Sequence, residues 1–207
     1  MKQLDDWRER IVCDDADKDE WLKQRNRFFT GSEVAALFGR HEYMRLPKLL
    51  ARKSGREKDD FDDQQDHIQQ GIIFESAIAR YFGESRGLEL ERVGKLVRHP
   101  ESPYLAATPD YLYKGTAVQI KFTTAYESTW SSKLPRYIYY QMHLEAAVLG
   151  FDSAVVVAYH RFSVPRWGKG KFGDQAVAHR VPLDPAVLKQ MVQLAERYSS
   201  HLGTDNV

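Results

Sequence analysis

Asp110, preceded by Pro109, and the run Gln119-Ile120-Lys121 nine positions on form the stretch of this sequence best suited to chemistry. On a strand, residues i and i+2 point to the same side. Gln119 and Lys121 therefore share a face, with Ile120 on the other. A turn at Lys114-Gly115 that folds strand 111–114 back beside strand 117–122 brings Asp110 near that face. Glu75, from a helix earlier in the chain, can approach from the flank. Such a cluster suits phosphodiester hydrolysis. Mg²⁺ takes oxygen ligands and keeps several waters, and carboxylates anchor it. The ion polarises a scissile phosphate and lowers the pKa of a bound water. A lysine beside it can orient that water or stabilise the charge that develops. The Ile120 carbonyl offers one more oxygen ligand.

The elements that must hold these residues can be read from periodicity and punctuation. Trp7 to Arg25 reads as a charged amphipathic helix. Thr30 or Ser32 reads as the cap of a helix opening at Val34. Further helices are expected over Leu46 to Ser54, stopped by Gly55, and over about Gln69 to Ser85, with Ile72, Ile73, Ala77, Ile78, Tyr81 and Phe82 as its apolar face. Residues 57–67 read as a polar loop. Leu88 to His99, Tyr104 to Ala107, Tyr111 to Lys114 and Ala117 to Phe122 read as strands. A long helix is expected over Arg136 to Leu149, closed by Gly150. Ser153 to Arg161 is a β-prone run suited to a buried strand. A basic glycine-rich loop, Gly168 to Gly173, precedes a strand at Ala176 to Val181 and an amphipathic helix from Asp184 to Leu202. This order implies an α/β fold, a mixed sheet flanked by helices on both faces. It is read as one domain over 1–207: a helical part to about 87, a sheet-containing core over about 88–181, and a C-terminal helix over about 184–202.

Bulk composition narrows the possibilities. With 43% hydrophobic and 29% charged residues the balance is that of an ordinary globular chain. One cysteine, Cys13, excludes an internal disulfide framework and cysteine-based zinc or iron–sulfur clusters. The N-terminus lacks the apolar stretch of a secretion signal, and no run approaches the ~18 apolar residues of a membrane span. A cytoplasmic location, with no membrane partner, is the expectation. The net charge of +1 neither announces nor excludes nucleic acid. Basic groups cluster from Arg40 to Lys58 and are followed by the acidic run Asp59, Asp60, Asp62, Asp63 and Asp66. A solvated surface explains both runs equally well. The seven histidines show no metal-binding spacing and read as surface or structural groups. Taken singly, Asp110 is a turn residue, Glu75 a surface carboxylate and Ser32 an ordinary cap; Lys121 in an apolar strand needs a partner.

Together, five blocks carry a resemblance. Pro109-Asp110 with Gln119-Ile120-Lys121 looks like the PD-(D/E)xK nuclease motif, of the restriction-endonuclease-like fold. More narrowly, over about residues 21–160 the chain resembles the YqaJ-like and phage lambda exonuclease family of viral recombination nucleases. The blocks are Trp21 to Arg25 followed by Thr30-Gly-Ser-Glu33, the helix Leu46 to Gly55, Gly71-Ile-Ile-Phe-Glu75, the nuclease motif itself, and Trp130 with Tyr137-Ile-Tyr-Tyr-Gln141. The resemblance implies that Glu75 and Asp110 are metal ligands and Lys121 the catalytic lysine. It implies that Arg25 and Ser32 bind a 5′-phosphate, and that Gln141 sits near the metal or that phosphate. A helix N-terminus with a small hydroxyl residue is a natural anion site, and arginine can clamp phosphate oxygens.

The implied activity is Mg²⁺-dependent 5′→3′ digestion of double-stranded DNA ends, with Mn²⁺ as a substitute cofactor. It leaves 3′ single strands for a single-strand annealing protein. The resemblance also implies a homotrimeric ring around DNA, which would reconcile a near-neutral charge with DNA binding. Rival readings are a DNA endonuclease of the same fold, a non-catalytic DNA-end binder, and an interaction protein that docks a partner through its acidic loop. Gln119 departs from the family pattern, which has Glu or Asp there. Three explanations stand open: an engineered substitution made to trap substrate, a natural nuclease that tolerates glutamine, and a natural non-catalytic end binder.

Overall fold

Two sheets carry the strands, and the chain crosses from one to the other at Asp110. The computed structural model describes residues 6–57, 66–160 and 176–202. The acidic run from Asp59 to Asp63, Lys58, and the glycine-rich loop with Lys169, Gly170 and Lys171 lie outside the described residues.

The expected N-terminal helix is three elements instead. A 3-10 turn, Trp7–Arg10, leads into strand β1, Ile11–Asp14, and helix α1, Lys18–Arg25. The β-branched pair Ile11-Val12 favours a strand, and β1 pairs antiparallel with β4, Lys95–Arg98. Asp17 then caps α1 by accepting the Glu20 N–H at 3.2 Å. β2, Phe29–Thr30, had no signal of its own in so short a run. It pairs parallel with β5, Leu105–Ala107. Helices α2, Val34–Leu37, and α3, Leu46–Lys53, follow.

Helix α4, Asp66–Arg86, buries Ile78, Ala79 and Phe82. Ile72 and Ile73, expected on its apolar face, are instead exposed, as is Ala77, while Phe74 beside them stacks on Phe122 with ring centroids 5.1 Å apart. The expected strand Leu88–His99 is split into β3, Glu91–Arg92, and β4. Gly94, at φ +54°, breaks it and sends the two halves to different sheets.

The first sheet runs β1-β4-β5-β2. The second runs β3-β6-β7-β8-β9, with β6 Tyr111–Tyr113, β7 Thr116–Thr123, β8 Ser153–His160 and β9 Ala176–Val181. β7 and β8 are parallel and the remaining pairs of this sheet antiparallel. Both sheets are therefore mixed. Between β7 and α6, Arg136–Leu149, lies a short helix α5, Glu127–Ser132, that sequence periodicity did not reveal. α6 ends where expected, with Gly150 at φ 74°. It packs on β5, β7, β8, α2 and the last helix α7, Pro185–Tyr198. Its buried Ile138, Met142, Leu144, Val148 and Leu149 anchor the main core, at roughly 1.5–3 kcal/mol for each large apolar side chain. α4 packs on β7 and β8 over a second cluster that includes Val118, Ile120 and Val157. Helices thus cover both faces of the β7–β8 layer. No helix among the described residues is long and apolar enough to cross a membrane.

Candidate active site

β7 is central in its sheet, but its partner β6 is short. The β6–β7 register runs from Tyr113–Thr116 to Tyr111–Val118 and stops. Beyond that point Asp110 takes over. Its Oδ2 accepts the Ile120 N–H at 2.8 Å and the Gln119 side-chain N–H at 2.5 Å. Residues in a strand turn N–H and C=O toward the same neighbour, so the Ile120 carbonyl faces the Asp110 side as well. Asp110 is fixed through its backbone too, since its carbonyl accepts the Val93 N–H at 2.9 Å. The strand alternation is as expected: Ile120 is buried against α4, while Gln119 is buried on the α6 side. Lys121, i+2 from Gln119, is half-buried.

Gln119 is held at both ends of its amide. Its nitrogen donates to Asp110, and its oxygen accepts from Gln141 Nε2 at 3.3 Å. The same Gln141 nitrogen lies 2.6 Å from Glu145 Oε1. Asp110, Gln119, Gln141 and Glu145 therefore form one chain of polar contacts from the β6–β7 edge into α6. Sequence reasoning missed Glu145. A signal was available: it is a charged residue inside the apolar run Met142 to Leu149, four positions from Gln141 and so on the same helix face.

Charge in this cluster is poorly balanced. Burial pushes the Asp110 carboxyl up; Lys121 and the two donated hydrogen bonds pull it back only in part. Burial, then Asp110, push Glu75 up to about 7, with Arg92 and Lys121 opposing. Burial and Asp110 likewise push Glu145 to about 8, against Lys121. Asp110 thus raises both Glu75 and Glu145, and Lys121 opposes the shift of all three. Among the described residues no three His, Cys, Asp or Glu side chains are close enough to grip an ion unaided.

The candidate phosphate residues Arg25 and Ser32 flank β2, a strand of the first sheet. Arg25 ends α1, is 5% exposed, and places its guanidinium 4.8 Å from the Trp21 ring centroid. Its Nη2 lies 3.5 Å from Glu33 Oε1. Glu33 is buried and also meets Lys53 Nζ at 2.8 Å, the Thr30 N–H at 2.9 Å and the Thr30 hydroxyl at 2.8 Å. Burial alone would raise the Glu33 carboxyl, but Lys53 and Arg25 outweigh it and hold it at about 2. Lys53, expected in a solvated basic run, is instead buried and also donates to the Arg25 carbonyl at 3.0 Å.

The capping expectation fails. Glu33, not Ser32 or Thr30, is the residue before α2, and no side chain caps that single turn. The Thr30 hydroxyl is spent on Glu33, and Ser32 is exposed. Strand β2, which leads into Ser32, runs beside β5, which leads into Asp110. Ser32 and Asp110 thus follow neighbouring strands.

Trp130 is buried against two histidines, His160 at 5.4 Å and His179 at 5.8 Å between centroids. These histidines, with buried His99 and His143, are structural, as expected. His143 accepts the Asp184 N–H at 2.9 Å and ties α6 to α7.

Comparisons agree with this architecture. The alkaline exonuclease of Laribacter hongkongensis superposes with a TM-score of 0.67 over 89% of this chain and 92% of its own, at 20% identity. Its complex with dAMP gives 0.65 at 19% identity, with the same coverage. A phage-related exonuclease from Haemophilus somnus 129PT gives 0.56 over 84% of this chain and 94% of its own, at 14% identity. The expected mixed α/β nuclease-like fold is borne out. Uncharacterized protein YqaJ of Bacillus subtilis strain 168 is 26% identical over 137 residues, 64% of this chain but 43% of that protein. The profile of the YqaJ-like viral recombinase domain matches residues 20–152, and the chain belongs to that family.

Proposed function

We propose that the chain is a metal-dependent exonuclease that degrades double-stranded DNA 5′→3′ from its ends and leaves 3′ tails for strand annealing. The observation that carries this is the junction of Asp110, Lys121 and the Ile120 backbone at the end of β6, in a member of a viral recombinase family. The fold relatives named as exonucleases support it, one of them solved with dAMP, a nucleoside monophosphate of the class that stepwise hydrolysis releases.

The donor set fits Mg²⁺. Burial, and then Asp110, raise Glu75 and Glu145, and the buried Glu145 Oε2 has no hydrogen-bond partner among the described residues; carboxyl groups so placed have room for a cation. One or two carboxylates suffice, because Mg²⁺ keeps waters and shares substrate phosphates. Asp110, Glu75 and the Ile120 carbonyl would hold the ion; Gln119 turns its nitrogen to Asp110 and serves as a positioning group. When bound, Mg²⁺ or Mn²⁺ supplies Lewis acidity toward the scissile phosphate and acidifies a coordinated water. Lys121 stabilises charge that develops on the phosphate and orients the attacking water. Arg25, pinned by Glu33 and Trp21, presents a pre-oriented guanidinium to the 5′-phosphate, with the exposed Ser32 nearby in sequence. A trimeric ring and a partner annealing protein complete this reading.

Gln119 favours one second reading, DNA-end binding without hydrolysis. The experiment is digestion of linear duplexes with 5′-phosphate or 5′-hydroxyl ends, and of closed circles, in Mg²⁺ and in EDTA. Stepwise release of mononucleotides from 5′-phosphorylated ends, in Mg²⁺ only, is the expected result. Cutting of closed circles sinks the exonuclease reading in favour of an endonuclease. End binding with no product sinks hydrolysis by this chain.

A further inference from the structure

Glu145 is 1% exposed, and its Oε2 has no hydrogen-bond partner among the described residues. Its other oxygen, Oε1, accepts from Gln141, which also holds Gln119. A solvated role is excluded by its burial. A purely structural role fits poorly. As an ionised carboxylate it leaves a buried charge half-compensated; as a neutral acid it leaves a buried hydroxyl with nothing to donate to.

The surroundings are built around the group. Gly31 has no side chain, and a Cβ there would meet Gln141 Cγ at 3.4 Å and Glu145 Oε1 at 3.5 Å. Gln119, on the same side of β7, contributes no charge and directs its amide nitrogen at Asp110. On the α6 side of β7 the carboxylate joined to Gln119 through Gln141 is Glu145, and it comes from the helix rather than from the strand.

We propose that Glu145 is a metal-site carboxylate: no three such side chains converge among the described residues, and Glu145 turns its unpartnered oxygen to the divalent cation once Asp110 holds it, supplying the charge that Gln119 lacks. The assignment rests on the metal-dependent reading above and adds to it a ligand that the strand motif does not contain. Gln141, bonded to both residues, sets the distance between them and is a positioning residue.

The test is Mn²⁺ binding by the full chain without DNA, by titration calorimetry and by the electron paramagnetic resonance of free Mn²⁺. Thermal midpoints in EDTA and in Mn²⁺ are recorded in parallel. E145Q is expected to weaken Mn²⁺ binding about tenfold or more and to shrink the Mn²⁺-induced rise in the midpoint. Its midpoint in EDTA should equal or exceed that of the parent, because a buried carboxylate has been neutralised. The exchanged pair Q119E/E145Q, which keeps the carboxylate count, should bind Mn²⁺ within about threefold of the parent.

Unchanged Mn²⁺ affinity in E145Q overturns the proposal. So does an exchanged pair that binds about tenfold tighter than the parent, a result that stands even if the single variant fails to fold. If the parent cuts DNA and binds Mn²⁺ while E145Q binds equally well, only the Glu145 assignment falls. If the parent neither binds Mn²⁺ nor cuts DNA, the metal-dependent reading falls and takes this one with it.

Discussion

Gln119 donates its side-chain amide to Asp110, so the residue beside the site's aspartate is tied to it by a hydrogen bond at 2.5 Å. The Ile120 N–H donates to the same oxygen. In the absence of metal, glutamine is the residue that suits this contact. A glutamate would set two carboxylates against each other in a site already short of positive charge.

Q119E should therefore act in opposite directions with and without metal. In EDTA it removes a donor from Asp110 and adds a like charge, a loss of roughly 1–3 kcal/mol in stability. In Mg²⁺ the added carboxylate becomes a ligand, the loss shrinks or reverses, and cleavage of 5′-phosphorylated duplex rises. Thermal melts in the two conditions, with digestion rates, test this. A variant as stable as the parent in EDTA would show that the Gln119–Asp110 bond contributes little.

The strand motif was legible because its geometry is local. Alternation placed Gln119 and Lys121 on one face and Ile120 on the other, and a turn at Lys114 and Gly115 brought Asp110 back beside them. What was hidden depended on partners distant in sequence. Lys53 sits in a basic run that resembles solvated surface, yet it is buried because Glu33, twenty positions earlier, is buried with it. Glu145 was masked by the apolar helix around it, although a buried carboxylate with an unpartnered oxygen is what makes it unusual. The second sheet was hidden because Gly94 interrupts a pattern whose alternation continues on either side.

The Glu33–Lys53 pair is a sensitive point for stability. Both side chains are nearly inaccessible, at 3% and 1%. K53M leaves Glu33 buried with its nearer cation gone and should cost about 3–5 kcal/mol. The double change E33Q/K53M removes both charges and should recover part of that loss. Urea unfolding of the three chains decides the matter. A mild effect of K53M, under about 1 kcal/mol, would mean that the pair behaves as if exposed.

Stability of the metal-free chain should peak in mildly acid solution. Glu33 has a folded value of about 2, below its ordinary 4.5, so its contribution is complete above 4.5 and is lost as pH falls toward 2. Burial lowers His99 from 6.5 to about 4, so its contribution is complete above 6.5 and is lost as pH falls through 4. Glu75 and Glu145 run the other way. Burial and the neighbouring Asp110 raise them from 4.5 to about 7 and about 8; their contribution is full below 4.5 and is lost as pH rises through those values. Melting in EDTA across pH 3–9 should give a maximum at about pH 4.5, because above it the two raised carboxyl groups lose more than His99 gains. Adding Mg²⁺ should move that maximum upward, since the ion favours the ionised carboxylates. A maximum in EDTA above pH 8 would contradict this balance.

Lys121 is the cation that opposes the charge of Asp110, Glu75 and Glu145 alike. Electrostatics and catalysis can be separated at this position. K121R keeps the positive charge and should leave the pH–stability profile in EDTA close to that of the parent. It should not restore cleavage, because a planar guanidinium cannot replace a compact ammonium that points at one water or one phosphate oxygen. K121M should lose both, with the raised carboxyl groups pushed further up and single-turnover digestion slowed about 10²–10³-fold. Arginine that cuts at the parent rate would mean that Lys121 supplies only field to the site. Methionine that cuts within about threefold of the parent would remove Lys121 from the reaction altogether.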